Sequence, residues 1–159
     1  MQQPKINFEQ FITTVEAEHQ MFMQNLHSHL LEQGCKVTFV EKKSGYLASY
    51  KAGKPPRALA NVLFRKEGML VRIYGERIGG YPNFLNTLPQ SMVQSIESAG
   101  ACGRLVNNTC SPKCAGYDFT IGDAHFQKCR YNCFEFLVTA EHNPFIQQFL
   151  AHELKERMQ

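Results

Sequence analysis

The sequence lacks any uncharged apolar run approaching the roughly 18 residues that a membrane-spanning helix requires. Its first thirty residues also lack the basic n-region, the apolar h-region and the cleavage site of a secretory signal. We therefore expect a cytoplasmic protein that makes no membrane contact. In that reducing compartment, the six cysteines serve as metal ligands, nucleophiles or core side chains more readily than as disulfides.

Catalytic motifs are missing as well. The chain has no P-loop, no dinucleotide-binding fingerprint, no His-Glu-x-x-His helix and no nucleophile elbow. Whether it is an enzyme therefore stays open. Internal repeats and low-complexity tracts are absent too, and 159 residues fit one domain. Residues 1–100 hold a helix, two hairpins and short helices of this domain, and residues 101–159 hold a cysteine-rich loop, a hairpin and a C-terminal helix.

Hydrophobic periodicity predicts the elements of the first half. Apolar residues recur at helical spacing over residues 7–33, which predicts one long helix that ends at Gly34. The period then becomes strand-like, with turn signals at Ser44-Gly45 and Glu67-Gly68. The predicted strands are residues 36–42, 46–52, 59–66 and 69–74.

The second half predicts two short helices that begin near Pro82 and Pro89, and a last helix that begins at Asn143-Pro144. Residues 117–121 and 126–138 predict a further hairpin around Gly122-Asp123. The fold class is therefore α+β. We expect a mainly antiparallel sheet packed against the long N-terminal helix and the C-terminal helix, with a cysteine-rich zinc loop and the other sheet face open to solvent or a ligand.

Five of the six cysteines lie within residues 102–133, among turn-forming residues. A proline-bearing turn brings the thiolates of Cys110 and Cys114 together. If residues 126–138 form one strand, Cys129 and Cys133 are roughly 13 Å apart, too far to share an ion. We therefore predict a structural zinc ion, with Cys133 as the reserve ligand. Its predicted ligands are Cys102, Cys110, Cys114 and Cys129.

Four thiolate ligands leave no open coordination position, so this zinc would stabilise the fold rather than catalyse a reaction. Unligated thiols, disulfides and an iron–sulfur cluster remain as alternatives. The cysteine region resembles a pattern in uncharacterised small bacterial proteins. The resemblance implies a bacterial origin and a shared cysteine framework, and it implies no activity. It rests on the runs at residues 102–105, 110–114, 116–119 and 128–131.

The net charge of +3 is unevenly distributed, because residues 36–77 contain ten Lys or Arg and three Glu. Strand alternation places Val62, Phe64, Val71 and Ile73 inward. The side chains predicted to face outward as a ligand-binding surface are Arg65, Arg72 and Tyr74, joined by Tyr46 and Tyr50. Interleaved arginine and tyrosine can pair phosphates and stack bases. A solvated face whose charges protect the sheet edges is the alternative.

These patterns lead to one hypothesis with two rivals. The hypothesis is a zinc-stabilised cytoplasmic binding module that recognises an anionic partner, either nucleic acid or a phosphorylated small molecule. One rival is a small enzyme with an anion-binding pocket. The other is a protein-interaction or regulatory subunit that uses the N-terminal helix. The sequence does not indicate the oligomeric state.

Overall fold

The computed structural model describes residues 6–43, 45–106 and 116–159. The helices are α1 (Phe8–Ile12), α2 (Ala17–Glu32), α3 (Pro82–Leu85), α4 (Gln90–Ser98), α5 (Gly103–Val106) and α6 (Asn143–Arg157), and a 3₁₀ turn spans Ile78–Gly80. The strands are β1 (Lys36–Lys42), β2 (Gly45–Ala52), β3 (Arg57–Arg65), β4 (Gly68–Ile73), β5 (Tyr117–Ile121), β6 (Ala124–Lys128) and β7 (Glu135–Leu137). None of the described helices has the length and apolar composition needed to cross a membrane.

The described strands form a five-stranded antiparallel sheet in the order β1-β2-β3-β4-β7, and β5 and β6 form a separate hairpin. The α+β class and the mainly antiparallel sheet are therefore confirmed. Gly45 and Gly68 begin β2 and β4 at φ values of 128° and 130°. Residues with a side chain rarely adopt these angles, which is why the Gly-containing turn signals located both hairpins.

The prediction of one long N-terminal helix is wrong, because α1 and α2 are separate helices. The hydroxyls of Thr13 and Thr14 donate hydrogen bonds to the carbonyls of Gln10 and Phe11, each at 2.7 Å. These bonds to nearby carbonyls favour the end of a helix over its continuation. The Gln20 side-chain amide donates to two further carbonyls at the same break, those of Ile12 and Val15.

The predicted strand over residues 126–138 is also wrong. Strand β6 ends at Lys128, and the chain then makes one helix-like turn in which the Cys133 N–H donates to the Cys129 carbonyl at 3.1 Å. Strand β7 follows and pairs with β4 in the main sheet, with Phe136 opposite Val71. The alternation of Phe134 and Phe136 therefore belongs to the short segment around β7 and does not extend back to residue 126.

The main core lies on one face of the five-stranded sheet. Strand residues such as Ala48, Val62 and Val71 are fully buried there and belong to one cluster with apolar side chains of α1, α2 and α6. Aromatic rings form much of this core, and Phe149 of α6 lies edge-on to Phe134 at 5.0 Å. The opposite face does not contribute to this cluster, and we call it the open face.

Candidate functional site

The open face is defined by alternation along the paired strands. The register places Val40 opposite Leu47, Leu63 opposite Leu70 and Leu70 opposite Leu137. Continuing the β2–β3 register from Ala48 and Val62 places Leu47 opposite Leu63. These side chains cross all five strands as a single apolar row, and none belongs to the main core cluster. The apolar row consists of Val40, Leu47, Leu63, Leu70 and Leu137.

Lys42 and Arg65 flank the apolar row on one side and Arg72 flanks it on the other, with Lys36 and Lys51 two residues further out along their strands. One carboxylate, that of Glu135, shares this face with them. The four exposed cations and the half-buried Arg72 therefore make the open face predominantly positive. The cationic side chains that alternation places on this face are Lys36, Lys42, Lys51, Arg65 and Arg72.

Arg65 and Arg72 lie beside each other and share one carboxylate. Arg65 Nη1 donates to Glu135 Oε1, and Arg72 Nε and Nη2 donate to Glu135 Oε2 at 2.9 and 2.8 Å. Burial lowers the pKa of Arg72, but bonds to Tyr74 and Glu135 outweigh burial and raise it overall. The predicted arginines are thus on the open face, although Glu135 already neutralises part of their charge.

The predicted tyrosines are less accessible than the sequence suggested. Tyr74 is 6% exposed, accepts a hydrogen bond from Asn61 Nδ2 at 3.2 Å, and lies beneath the Arg130 guanidinium, 5.7 Å from the ring centroid. Tyr50 is fully buried on the core face, with its hydroxyl 2.8 Å from His27 Nδ1. Tyr46 shares that face with Tyr50, because the two lie four residues apart on β2. The prediction that Tyr46 and Tyr50 share the outward face with Arg65 and Arg72 is therefore wrong. Alternation along β2 places both tyrosines on the core face.

A hollow of about 330 Å³ lies at the β7 end of the apolar row. Leu70 and Leu137 form part of its wall, with Arg65, Ser95 and His142 around them. Helix α4 borders this end of the sheet, where Ser95 Oγ donates to the Glu135 carbonyl at 3.2 Å. The open face thus includes a depression in which one apolar side chain of a partner can be buried.

The described part of the cysteine region brings Cys102 and Cys129 to one side of a short antiparallel bridge. The bridge pairs Ala101 with Lys128, while Cys102 N–H donates to the Gln127 carbonyl and Cys129 N–H to the Gly100 carbonyl, each at 2.9 Å. Such diagonal neighbours have Cα atoms roughly 7–8 Å apart. Two thiolates at that separation can reach one tetrahedral ion.

Cys129 and Cys133 lie on one helix-like turn, so the predicted separation of roughly 13 Å is wrong. Residues four apart on a turn have Cβ atoms about 5–6 Å apart. Cys133 is nevertheless fully buried in the main core, and burial raises the pKa of its thiol. A protonated core thiol is a poor zinc ligand. Cys133 therefore remains a weaker candidate zinc ligand than Cys129. The reason is its burial in the core and not its distance from Cys129 along a strand.

Cys110 and Cys114 lie outside the described residues. The thiols of Cys102, Cys129 and Cys133 do not all lie within 4.8 Å of one another, and within the described ranges no disulfide involves them or Cys35. Gly116, two residues after Cys114, touches Cys102, because a Cβ at Gly116 would lie 2.2 Å from the Cys102 Sγ. Gly116, the first residue that the structure describes after Val106, therefore packs against one of the predicted ligands.

Within the described residues, the metal-ligating side chains that do cluster are Glu16, Glu18 and His19, at the start of α2. Both carboxylates are exposed, so their hydration competes with any ion. Periodicity did not single out this group, because two of its members precede the apolar stripe of α2. We assign no function to it.

No protein-family model, curated protein or solved structure matches this chain.

Proposed function

We propose that this protein is a zinc-stabilised cytoplasmic binding module whose open face docks an anionic partner, namely an acidic amphipathic helix of another protein. The observation that carries the proposal is the apolar row, which lies outside the main core cluster and has cations on both sides. Leu70 is buried, and the other four side chains of the row remain partly exposed. A contiguous, partly exposed apolar strip outside the core is typical of an interaction surface. The bordering charges select a partner with carboxylates beside its apolar residues.

The chemistry of the open face favours protein over single-stranded nucleic acid. Sequence-tolerant binding of single strands depends on aromatic rings that stack on the bases. Among the described residues of the open face the aromatic side chain is Tyr74, and it is buried beneath Arg130. Leucine and valine side chains are suited to contact a leucine stripe instead.

The size of the apolar row fits a short helix. Five strands spaced about 4.8 Å apart give a row roughly 19 Å long. A helix rises about 1.5 Å per residue, so about 13 residues cover that distance. A helix on the second face of a sheet also completes the usual layered architecture of α+β proteins.

The proposal is tested with two labelled probes at low and moderate salt. One is an 18-residue helical peptide with a leucine stripe bordered by glutamates, and the other is a 20-nucleotide oligothymidylate. Fluorescence anisotropy should show tighter binding of the peptide. Lys51→Glu should weaken it, whereas Lys155→Glu, which makes the same charge change on the exposed side of α6, should not.

Leu63→Ser separates the apolar contribution from the charges. This change should weaken peptide binding, while circular dichroism checks that the sheet remains folded. Tighter binding of the oligothymidylate would contradict the proposal and indicate that the open face binds nucleic acid. Binding of neither probe, or equal effects of Lys51→Glu and Lys155→Glu, would contradict the proposal.

The zinc part of the proposal rests on the placement of Cys102 and Cys129. They share one side of the bridge, and Gly116, two residues after Cys114 in the sequence, packs against the Cys102 thiol. A zinc ion there would link α5, the β5–β6 hairpin and the segment between them. Thiolate ligands also agree with the reducing cytoplasm expected from the sequence.

A further inference from the structure

A second cleft, of about 510 Å³, opens beside the C-terminal end of β4, away from the apolar row. Its walls come from the chain after β4, from the start of β5 and from the turn after β6. Ligand-binding clefts usually have volumes of about 300–1,000 Å³, so this cleft can hold a small organic molecule. The polar residues that line it include Arg57, Glu76, Arg77, Tyr117, Asp118 and Arg130.

Two buried hydrogen-bond donors in the lining have no partner among the described residues. They are the hydroxyl of Tyr117, which is 4% exposed, and Nε of Arg130. Burial raises the pKa of Tyr117, so its phenol keeps the proton at neutral pH and is a donor. The Gly75 backbone lies close enough to oppose that rise but makes no hydrogen bond of ordinary geometry with the hydroxyl.

Unpaired buried donors are rare and costly, because each loses its hydrogen bonds to water without replacement. Here two occur in residues that line a single cleft. Both are N–H or O–H groups, so a ligand with acceptor oxygens would satisfy both donors.

The charges around the cleft favour an anionic acceptor. Glu76 pairs loosely with Arg57 at 3.4 Å and with Arg130 at 3.7 Å. Asp118 accepts bonds from His125 and Gln127 of the neighbouring strand, at 2.5 and 3.2 Å. Within the described residues the Arg77 side chain forms no ion pair. Three arginines and two carboxylates therefore line the cleft, which leaves an excess of one positive charge.

We propose that this cleft binds a small oxyanion, a carboxylate or a phosphate monoester, whose oxygens accept from Tyr117 Oη and Arg130 Nε while Arg77 and Arg57 face its charge. Both donor atoms are closed off from solvent before binding, so Arg130 must shift as the ligand enters. Its long contact with Glu76 permits that movement, because a 3.7 Å ion pair contains no strong hydrogen bond. This site is separate from the apolar row, although Arg130 also covers Tyr74 on the open face.

The test titrates the full chain with inorganic phosphate and with benzoate, against sodium chloride at equal ionic strength. Calorimetry should detect saturable binding of at least one probe, and the preference between them distinguishes a phosphate ligand from a carboxylate ligand. Tyr117→Phe and Arg130→Gln should each weaken it about tenfold or more, because each removes a hydrogen bond to a charged group. Tyr46→Phe, on the core face of the sheet, and Lys51→Glu, on the open face, should leave binding unchanged.

The stability of the ligand-free Tyr117→Phe variant provides a second readout. Its melting temperature should equal or exceed that of the native protein, because the change removes a hydroxyl that lacks a partner and retains the ring stacked on Phe134 at 5.2 Å. A clear drop would show that the hydroxyl already has a partner in the free protein, and would overturn the proposal. Absence of saturable binding by either probe, or binding that both cleft variants retain, would overturn it equally.

Discussion

His27 connects the N-terminal helices to the sheet through its imidazole ring. The residue is 9% exposed, its ring stacks on Phe8 at 3.8 Å, and its Nδ1 lies 2.8 Å from the Tyr50 hydroxyl. Burial lowers the pKa of His27, because the charged imidazolium loses hydration inside the protein. The neutral ring is therefore the form that fits the folded structure.

The stability of the protein should depend on pH through His27. The folded pKa lies below the ordinary value near 6.5, so below pH 6.5 the unfolded chain binds a proton that the folded chain does not. The free energy of unfolding should therefore fall as the pH drops below about 6.5, and the fall should stop below the folded pKa. Urea unfolding at a series of pH values measures this slope.

His27→Gln should flatten the slope, because glutamine can still form a hydrogen bond with Tyr50 and does not titrate. His29→Gln is the matched control, since His29 lies on the exposed side of the same helix. If the two variants change the slope equally, His27 is not the group responsible.

Individual elements show what sequence patterns do and do not determine. The four strands of residues 36–74 were predicted within about two residues, because alternation and the glycines at the turns point to the same boundaries. The break after Ile12 was missed, because Thr13 and Thr14 end a helix through hydroxyl bonds while the apolar period continues. The turn at residues 129–133 was missed for a similar reason. Alternating phenylalanines flank it, and they concealed the turn residues Tyr131 and Asn132.

For the candidate sites too, local sequence patterns predict part of the arrangement and miss the contacts made between distant segments. Alternation placed Arg65 and Arg72 on the outer face, because their strand neighbours are strongly apolar. It did not predict Glu135 as their partner, because β7 reaches β4 from 63 residues away. The second cleft was not predictable at all. Its residues come from separate segments that only the packed fold brings together.

The cysteine element yields a test of the predicted metal. Protein purified without added zinc should contain one zinc ion per chain, and chelation should lower its melting temperature, because binding to the folded state alone stabilises that state. Cys129→Ser should lose the ion. Cys133→Ala should retain it, because that thiol belongs to the main core.

Metal analysis and thermal melts of the same samples measure both effects. Cys35→Ala is the control for loss of a buried thiol elsewhere, since Cys35 is 6% exposed. Metal-free protein with unchanged stability would exclude the site. Loss of zinc in Cys133→Ala, with retention of zinc in Cys129→Ser, would show that Cys133 is the zinc ligand in place of Cys129.

At the scale of the whole molecule, a buried ion pair within α6 anchors this helix to the sheet through further hydrogen bonds. Glu153 is fully buried, and its carboxylate accepts from Tyr81 Oη at 2.5 Å and from Arg157 Nε at 2.7 Å. Burial raises the pKa of Glu153, and the bonds from Tyr81 and Arg157 oppose that rise. The Arg157 guanidinium also donates to backbone carbonyls of Arg57, Ala58 and Tyr74 at 3.1, 2.9 and 2.8 Å.

Removing this arginine should destabilise the fold strongly. Arg157→Ala leaves a buried carboxylate without its cation, which costs about 3–5 kcal/mol in comparable sites. Lys155→Ala, on the exposed side of the same helix, should change the free energy of unfolding by no more than about 0.5 kcal/mol. Denaturant titration of both variants measures the difference, and similar values for the two would refute the role of the buried pair.

The same arginine has a consequence for the order of folding. Its bonds to Arg57 and Ala58 join residues 100 and 99 positions apart, so they form only after a long loop has closed. The hairpins of β1 to β4 need no such closure and can assemble first. Docking of α6 should therefore follow the folding transition state, so that loss of Arg157 speeds unfolding while refolding keeps almost its native rate. The buried pair then determines how long the folded protein lasts rather than how quickly it forms.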